Sequence, residues 1–318
     1  MRIVKRLFTI VLQPKCIINQ HKNHCIRPTN CWPYIIKGKL SDSPIPYWLL
    51  LPLHHLIYIM SYALITGASK GIGKAIAMEL AARQLNLLLV ARTESLLSEL
   101  ATELCKSFNI KVDYLAIDLS SVDAPSQIVA WIKDKGYAVN ILVNNAGYGL
   151  SGTFERYTAN EHSDMMQVNM TVPVVLTSLM IPELKNQPKS YILNIASAAA
   201  YQAVPGLTVY AASKAFLLSF SRGLQYELRK TNISVTVVSP GGTDTDFANR
   251  AKVGAKAVKA GEKLNMTPES VAKLAVTAMF AGKTEIITGF INKLGAVLVW
   301  LLPKKLTETT AASIYNQD

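Results

Sequence analysis

Three glycines within one twelve-residue stretch constrain this chain more than any other feature. Tyr62 to Gly73 reads YALITGASKGIG, with Gly67, Gly71 and Gly73 at intervals of four and two. Ala63 to Ile65 are apolar, and from Lys74 the pattern turns helical, KAIAMELAARQ. The order is strand, glycine turn, helix. A phosphate approaching backbone N–H groups at a helix N-terminus needs bare backbone, and a Cβ at those turn positions would block it. A glycine turn can also simply reverse the chain, so the glycines alone fix no ligand.

The rest of the chain repeats the alternation. Asn86 to Ala91 is a near-continuous apolar run, as expected of a strand covered by helices on both faces. A helix from Glu94 to Phe108 leads to a strand at Lys111–Ile117, closed by Asp118 and Leu119. A helix over Ala124–Lys135 precedes a strand at Ile141–Val143, which ends in Asn144, Asn145, Ala146 and Gly147. A long helix is expected over Asn160–Met180, carrying Asn169. Strand five, from Ser190, has Ser197 just past its end, and YAASK, Tyr210 to Lys214, opens a helix to Lys230. Strand six, Ile233–Val238, runs into Pro240, Gly241 and Thr243; a further helix begins at Thr267-Pro268-Glu269, and strand seven spans Glu285–Thr288. The expected architecture is a doubly wound α/β domain of Rossmann type, a mostly parallel seven-stranded sheet with helices on both faces.

Taken together, the glycine turn, the Asn-Asn-Ala-Gly run, the serine and the Tyr-x-x-x-Lys helix resemble the short-chain dehydrogenase/reductase family. The resemblance covers Met60 to Thr288, with no departure at the motif positions. It implies an oxidoreductase that moves a hydride between NADP(H) and a carbonyl or secondary alcohol on a small apolar substrate. It implies cofactor contacts from Gly67, Ser69, Lys70, Gly71, Ile72 and Gly73, from Asn145, Ala146 and Gly147, and from Pro240, Gly241 and Thr243. Asp118 and Leu119 are expected to flank the adenine, although Asp118 also suits a helix cap near Ser120. The residue ending the second strand reads the adenosine ribose. That residue is Ala91 rather than an acid, with Arg92 next. In the family, basic residues at the positions of Lys70 and Arg92 go with NADP(H), which makes NAD(H) the lesser alternative. Both cations would also suit a solvated surface.

The implied catalytic set is Asn169, Ser197, Tyr210 and Lys214. Tyr210 and Lys214 are four apart and share a helix face. Hydride transfer to a carbonyl leaves an oxyanion that must be protonated. A phenol with a pKa of about 10 is a poor donor near neutrality; an adjacent ammonium is expected to lower that value. On this reading Tyr210 passes the proton, Lys214 tunes the phenol and binds the nicotinamide ribose, Ser197 bonds the substrate oxygen, and Asn169 bends its helix and orders a relay water.

Composition bears mainly on the ends of the chain. Of the net charge of +12, residues 1–59 carry +7, so the basic balance says little about the body. No aromatic-basic interleaving, reading helix or zinc-finger spacing suggests nucleic acid. Cys25 and Cys31 near His21 and His24 fit no common zinc pattern, and no metal is expected. Prolines break residues 1–59 repeatedly, and the apolar run Tyr47–Ile59 is too short to span a bilayer. The leader is expected to be a non-native upstream extension or disordered, with the domain at 60–290 starting beside Met60. Phe247–Leu264 is expected to form a helical flap. In the tail, 291–318, Leu294, Val297, Leu298, Leu301 and Leu302 lie on one helical stripe. Core or pocket cover is its expected role, with membrane contact less favoured. A cytoplasmic homo-oligomer is expected. A nucleotide-binding regulatory protein without turnover, a membrane-surface reductase and an epimerase are the alternatives.

Overall fold

The computed structural model describes residues 61–254, 258–259 and 265–315. The leader therefore lies outside the described residues, as does most of the stretch expected to complete the flap. Among the described residues, seven parallel strands form one sheet in the order β3-β2-β1-β4-β5-β6-β7. The strands are β1 Tyr62–Thr66, β2 Asn86–Ala91, β3 Val112–Ala116, β4 Val139–Asn144, β5 Ser190–Ile195, β6 Ile233–Ser239 and β7 Glu285–Ile287. The helices are α1 Gly71–Ala81, α2 Glu94–Phe108, α3 Ala124–Asp134, α4 Ala159–Met166, α5 Val172–Asn186, α6 Thr208–Leu228, α7 Pro268–Phe280, α8 Phe290–Leu301 and α9 Lys304–Tyr315.

Every residue of β2, β4, β5 and β6 is buried. This is why their sequences are apolar runs rather than alternating patterns. On one face Ile76 and Leu80 of α1, Leu97 and Leu104 of α2 and Met279 of α7 pack against the sheet. On the other, Ile128 of α3, Leu176 and Met180 of α5 and Leu228 of α6 do so. The strand order reverses between β1 and β4, which opens a crevice at their carboxyl ends.

Buried polar side chains fix the neighbourhood of that crevice. Thr66 Oγ1 donates to the Val143 carbonyl (3.2 Å) and accepts from the Asn145 and Ala146 amides (3.1 and 3.2 Å). Asn144 Nδ2 donates to Asn194 Oδ1 (2.8 Å) and Thr177 Oγ1 (3.1 Å), and Asn194 Nδ2 donates to Ser221 Oγ (2.8 Å). The chain of bonds ties β4, β5, α5 and α6 into one unit.

Two sequence expectations need correction. The long helix runs to Asn186 rather than Met180; its interruption falls at Asn169, where a bend was expected, as a π-helical turn, Gln167–Thr171, joining α4 and α5. The apolar tail stripe does not cover a core or a pocket. No residue of α8 is buried. Helix α9 instead packs beside Tyr210, with Ala311 and Tyr315 against Met165, Leu207 and Tyr210.

Candidate active site

The glycine turn leaves no room for side chains. Gly67 sits at φ +65°, and a Cβ there would lie 2.8 Å from the Ala146 Cα. A Cβ on Gly73 would lie 2.1 Å from the Gly67 carbonyl oxygen and 2.4 Å from Asn145 Nδ2. Asn145 Nδ2 donates to the carbonyls of Thr66 (3.0 Å) and Gly67 (3.1 Å), so it stitches the β4 turn to the glycine turn. Helix α1 begins without a side-chain cap and with no acid in its first turn. Its first N–H groups are therefore open to an anion. These features fit the phosphates of a dinucleotide.

At the adenosine end, β2 delivers Ala91 and exposed Arg92. Asp118 Oδ1 accepts the Ser120 amide (3.0 Å) within a turn rather than capping a helix, since α3 begins only at Ala124 after Asp123, and Leu119 is buried beside it. Lys70 Nζ lies 3.7 Å from Asp246 Oδ2, both side chains exposed, a pairing that solvent makes weak. A cation from the start of the expected flap joins this end. The Arg250 guanidinium stacks 4.7 Å from the Tyr148 ring centroid. Burial, and then the nearby Arg92 charge, lowers the pKa of Arg250. Two guanidiniums held against their mutual repulsion favour a bound anion.

The reacting end is built from β5, α6 and the loop after β4. Ser197 caps a short 3-10 turn, Ala198–Tyr201, its hydroxyl accepting the Ala199 amide at 3.1 Å. Tyr210 and Lys214 are both buried on α6. Lys214 Nζ donates to the Ile195 carbonyl (2.9 Å) and lies 5.9 Å from the Tyr210 ring centroid. A Cβ on Gly147 would fall 3.1 Å from both Lys214 Nζ and Asn169 Oδ1. The β4 turn thus passes directly over the lysine and the asparagine. Asn169 clamps Tyr148: its Nδ2 donates to the Tyr148 carbonyl (2.9 Å) and its Oδ1 accepts the Tyr148 amide (3.1 Å). Its Nδ2 also donates to Ser213 Oγ (3.0 Å). Pro240 to Thr243 leave β6 beside this site, with Thr243 Oγ1 donating to the Gly241 carbonyl at 3.1 Å. Asn292 of α8 fills the space where a Gly241 Cβ would stand.

Two aromatic neighbours escaped sequence reading. Phe247, from the single helical turn Phe247–Arg250, lies 5.1 Å from the Tyr210 ring. The backbone and Cβ of Tyr315 abut Gly206. Both arrive by packing from distant segments, so no local spacing announces them.

The electrostatics differ from the sequence expectation. Burial pushes the Tyr210 phenol up to about 12; a hydrogen bond with Ser197 opposes this and the Tyr315 phenol adds to it. Lys214 does not lower it, because burial brings the ammonium itself down to about 8. In the protein without dinucleotide, desolvation outweighs the expected lysine–phenol attraction.

That lysine makes a stability prediction. Unfolded, its amine stays charged to about 10.5; folded, only to about 8. Between these values the unfolded chain holds the extra proton, so native stability rises with pH through the window and carries the full penalty below it. Lys214→Met lacks this term. In urea titrations without dinucleotide, the variant's stability relative to wild type is expected to fall by about 3 kcal/mol from pH 7 to the top of the window. Parallel curves would show that the ammonium is not desolvated.

A parallel doubly wound sheet, a bare glycine turn at its switch point and a half-buried serine beside a buried Tyr-Lys pair define a nicotinamide-dependent oxidoreductase. The comparisons agree. The short chain dehydrogenase pattern matches residues 61–255, and the chain belongs to that family. It is 33% identical over 217 residues to an uncharacterised oxidoreductase of Staphylococcus saprophyticus, covering 68% of this chain and 90% of that one. It is 32% identical over 256 residues to human 17-beta-hydroxysteroid dehydrogenase type 3, covering 79% and 80%. A solved short-chain dehydrogenase from Sphingobium yanoikuyae in complex with NADPH superposes with a TM-score of 0.68 at 28% identity, covering 81% of this chain and 98% of that one.

Proposed function

We propose that the protein is an NADP(H)-dependent reductase of bulky apolar ketones, with Tyr210 as the proton donor. The observation that carries the cofactor choice is the end of β2, where Ala91 and Arg92 stand in place of an acid. An acid there would repel a 2′-phosphate; Arg92, Arg250 and Lys70 would hold one. The related Sphingobium enzyme's complex with NADPH supports this.

The bound dinucleotide supplies or accepts the hydride. Gly67, Ser69, Gly71, Ile72 and Gly73 would hold its phosphates, and Asp118 and Leu119 would border its adenine. Asn145, Ala146 and Gly147, with Pro240, Gly241 and Thr243, would border the ring and its ribose. Lys214, close to Gly147, would bind that ribose. Ser197 fixes the substrate oxygen and Tyr210 donates its proton to it. The raised phenol enters the reaction protonated, as reduction requires; oxidation requires its proton to leave first. Asn169 acts by positioning, since it holds the Tyr148 backbone and the α6 face through Ser213.

The surroundings of Tyr210 support an apolar substrate: Met165, Val204, Leu207, Leu150, Phe247 and Tyr315 cluster there. The resemblance to a hydroxysteroid dehydrogenase points the same way. Exposed, free Cys105 suits a reducing cytoplasmic setting.

The test is dinucleotide oxidation against a panel of ketosteroids, oxoacyl thioesters and small polar ketones, with NADPH and NADH in parallel. Wild type is expected to favour NADPH and the apolar ketones. Arg92→Asp is expected to lower kcat/KM for NADPH by about 10- to 100-fold, the worth of a charged hydrogen bond, and to spare NADH. Preference for NADH by the wild type would overturn the cofactor assignment.

A further inference from the structure

Helix α8 is apolar almost throughout, FINKLGAVLVWL, yet none of it is buried. Phe290 is 80% exposed and Trp300 79%; Ile291, Leu294, Val297 and Leu301 are exposed with them. A soluble protein rarely leaves so continuous an apolar surface to water. Twelve residues reach only about 18 Å, short of the roughly 30 Å hydrocarbon core. The helix therefore cannot cross a bilayer, but it can lie within one face of it.

Charge selects the occupant. Lys293 stands near the start of α8, and Lys304 and Lys305 follow its end, all exposed. No acid occurs between Glu285 and Glu308. A second copy laid on this face would bring lysines against lysines with no carboxylate between them. An anionic lipid surface instead meets the lysines with phosphates and the apolar residues with acyl chains. Trp300 suits the boundary between the two.

We propose that α8 docks this protein on an anionic lipid surface, apolar side chains in the acyl region and Lys293, Lys304 and Lys305 at the headgroups. The placement has a consequence for the reaction site. Helix α8 packs beside Ala198–Tyr201, the turn after Ser197, and its Asn292 sits against Gly241. The docked face thus adjoins the active site, where an apolar ketone dissolved in the bilayer would enter. Docking itself does not depend on which carbonyl is reduced or on which dinucleotide is used.

Flotation of the full chain with phosphatidylcholine vesicles, with and without phosphatidylserine, tests this directly. The chain is expected to float, more strongly with phosphatidylserine. Val297→Glu combined with Leu301→Glu is expected to lower partitioning by about ten-fold or more. Replacing Lys293, Lys304 and Lys305 with Gln is expected to remove the preference for phosphatidylserine, about five-fold per lysine, and to leave phosphatidylcholine binding unchanged. Both variants keep wild-type turnover in vesicle-free buffer. Absence of flotation would overturn the proposal. So would flotation that neither variant changes, since the contact would then lie elsewhere in the chain. A dimer in sedimentation that the paired Glu substitutions dissolve, with no lipid binding, would assign the face to a second copy.

Discussion

Tyr210→Phe will lower kcat for ketone reduction by roughly 10²- to 10⁴-fold, the usual worth of a positioned general acid, with dinucleotide affinity close to wild type. The phenol is buried between Phe247 and the Ser197 turn. Removing one oxygen leaves ring packing intact, so the fold should not suffer. Burial keeps the phenol protonated up to about 12. Across the neutral range the wild type therefore always has its proton to give, and the variant never does. Steady-state kinetics with NADPH, beside fluorescence titration of the dinucleotide, separate the two effects. A variant that keeps wild-type kcat would transfer the proton to another group and leave Tyr210 a packing residue. Equal loss of affinity and rate would mean that the hydroxyl serves to hold the dinucleotide rather than to pass a proton.

Gly73→Ala is expected to abolish dinucleotide binding and to destabilise the fold. The added methyl would stand 2.1 Å from the Gly67 carbonyl oxygen and 2.4 Å from Asn145 Nδ2. Neither can yield cheaply. The carbonyl is backbone at a positive-φ glycine, and the amide is committed to the Thr66 and Gly67 carbonyls. Overpacking of this kind costs about 1–3 kcal/mol, and the phosphate-binding turn itself must move. Gly223→Ala on α6 provides the comparison, since its Cβ would meet nothing within 4 Å. There the change should be neutral or slightly stabilising, as helix propensity favours alanine. Thermal melts with and without NADPH read both outcomes. A Gly73→Ala protein that still gains its full stabilisation from NADPH would show that the turn does not hold the phosphates.

The parts of this molecule legible from sequence are those that local physics dictates. The bare backbone at Gly67 and Gly73 is written in the residue types, because no other residue fits. The four-residue spacing of Tyr210 and Lys214 is fixed by the helix that carries them. The apolar runs of β2, β4, β5 and β6 follow from burial on both sides. The parallel seven-stranded sheet with helices on both faces followed from the alternation of strands and helices, whereas its strand order needed the structure.

What was not legible comes from long-range packing. Phe247, Arg250 and Tyr315 reach the site from segments whose own sequences hold no periodic signal for it. The direction of the Tyr210 and Lys214 shifts depends on how much water the fold excludes, which spacing cannot report. The stripe on α8 reads the same whether it faces a core or solvent; only the position of its neighbours shows that it faces out. Asn169 lies between these cases. Its presence in the helix was plain, but the π-helical turn and the clamp on Tyr148 needed the structure.

The central claim is that this chain passes a hydride between a nicotinamide and a carbonyl carbon at Tyr210. NADPH carrying deuterium at the transferable ring position, incubated with the protein and an accepted ketone, tests it most directly by mass spectrometry of the alcohol. The account predicts one deuterium on the carbinol carbon of each product molecule, formed by wild type and almost none by Tyr210→Phe. Alcohol without that deuterium, or the same yield from both proteins, would contradict it.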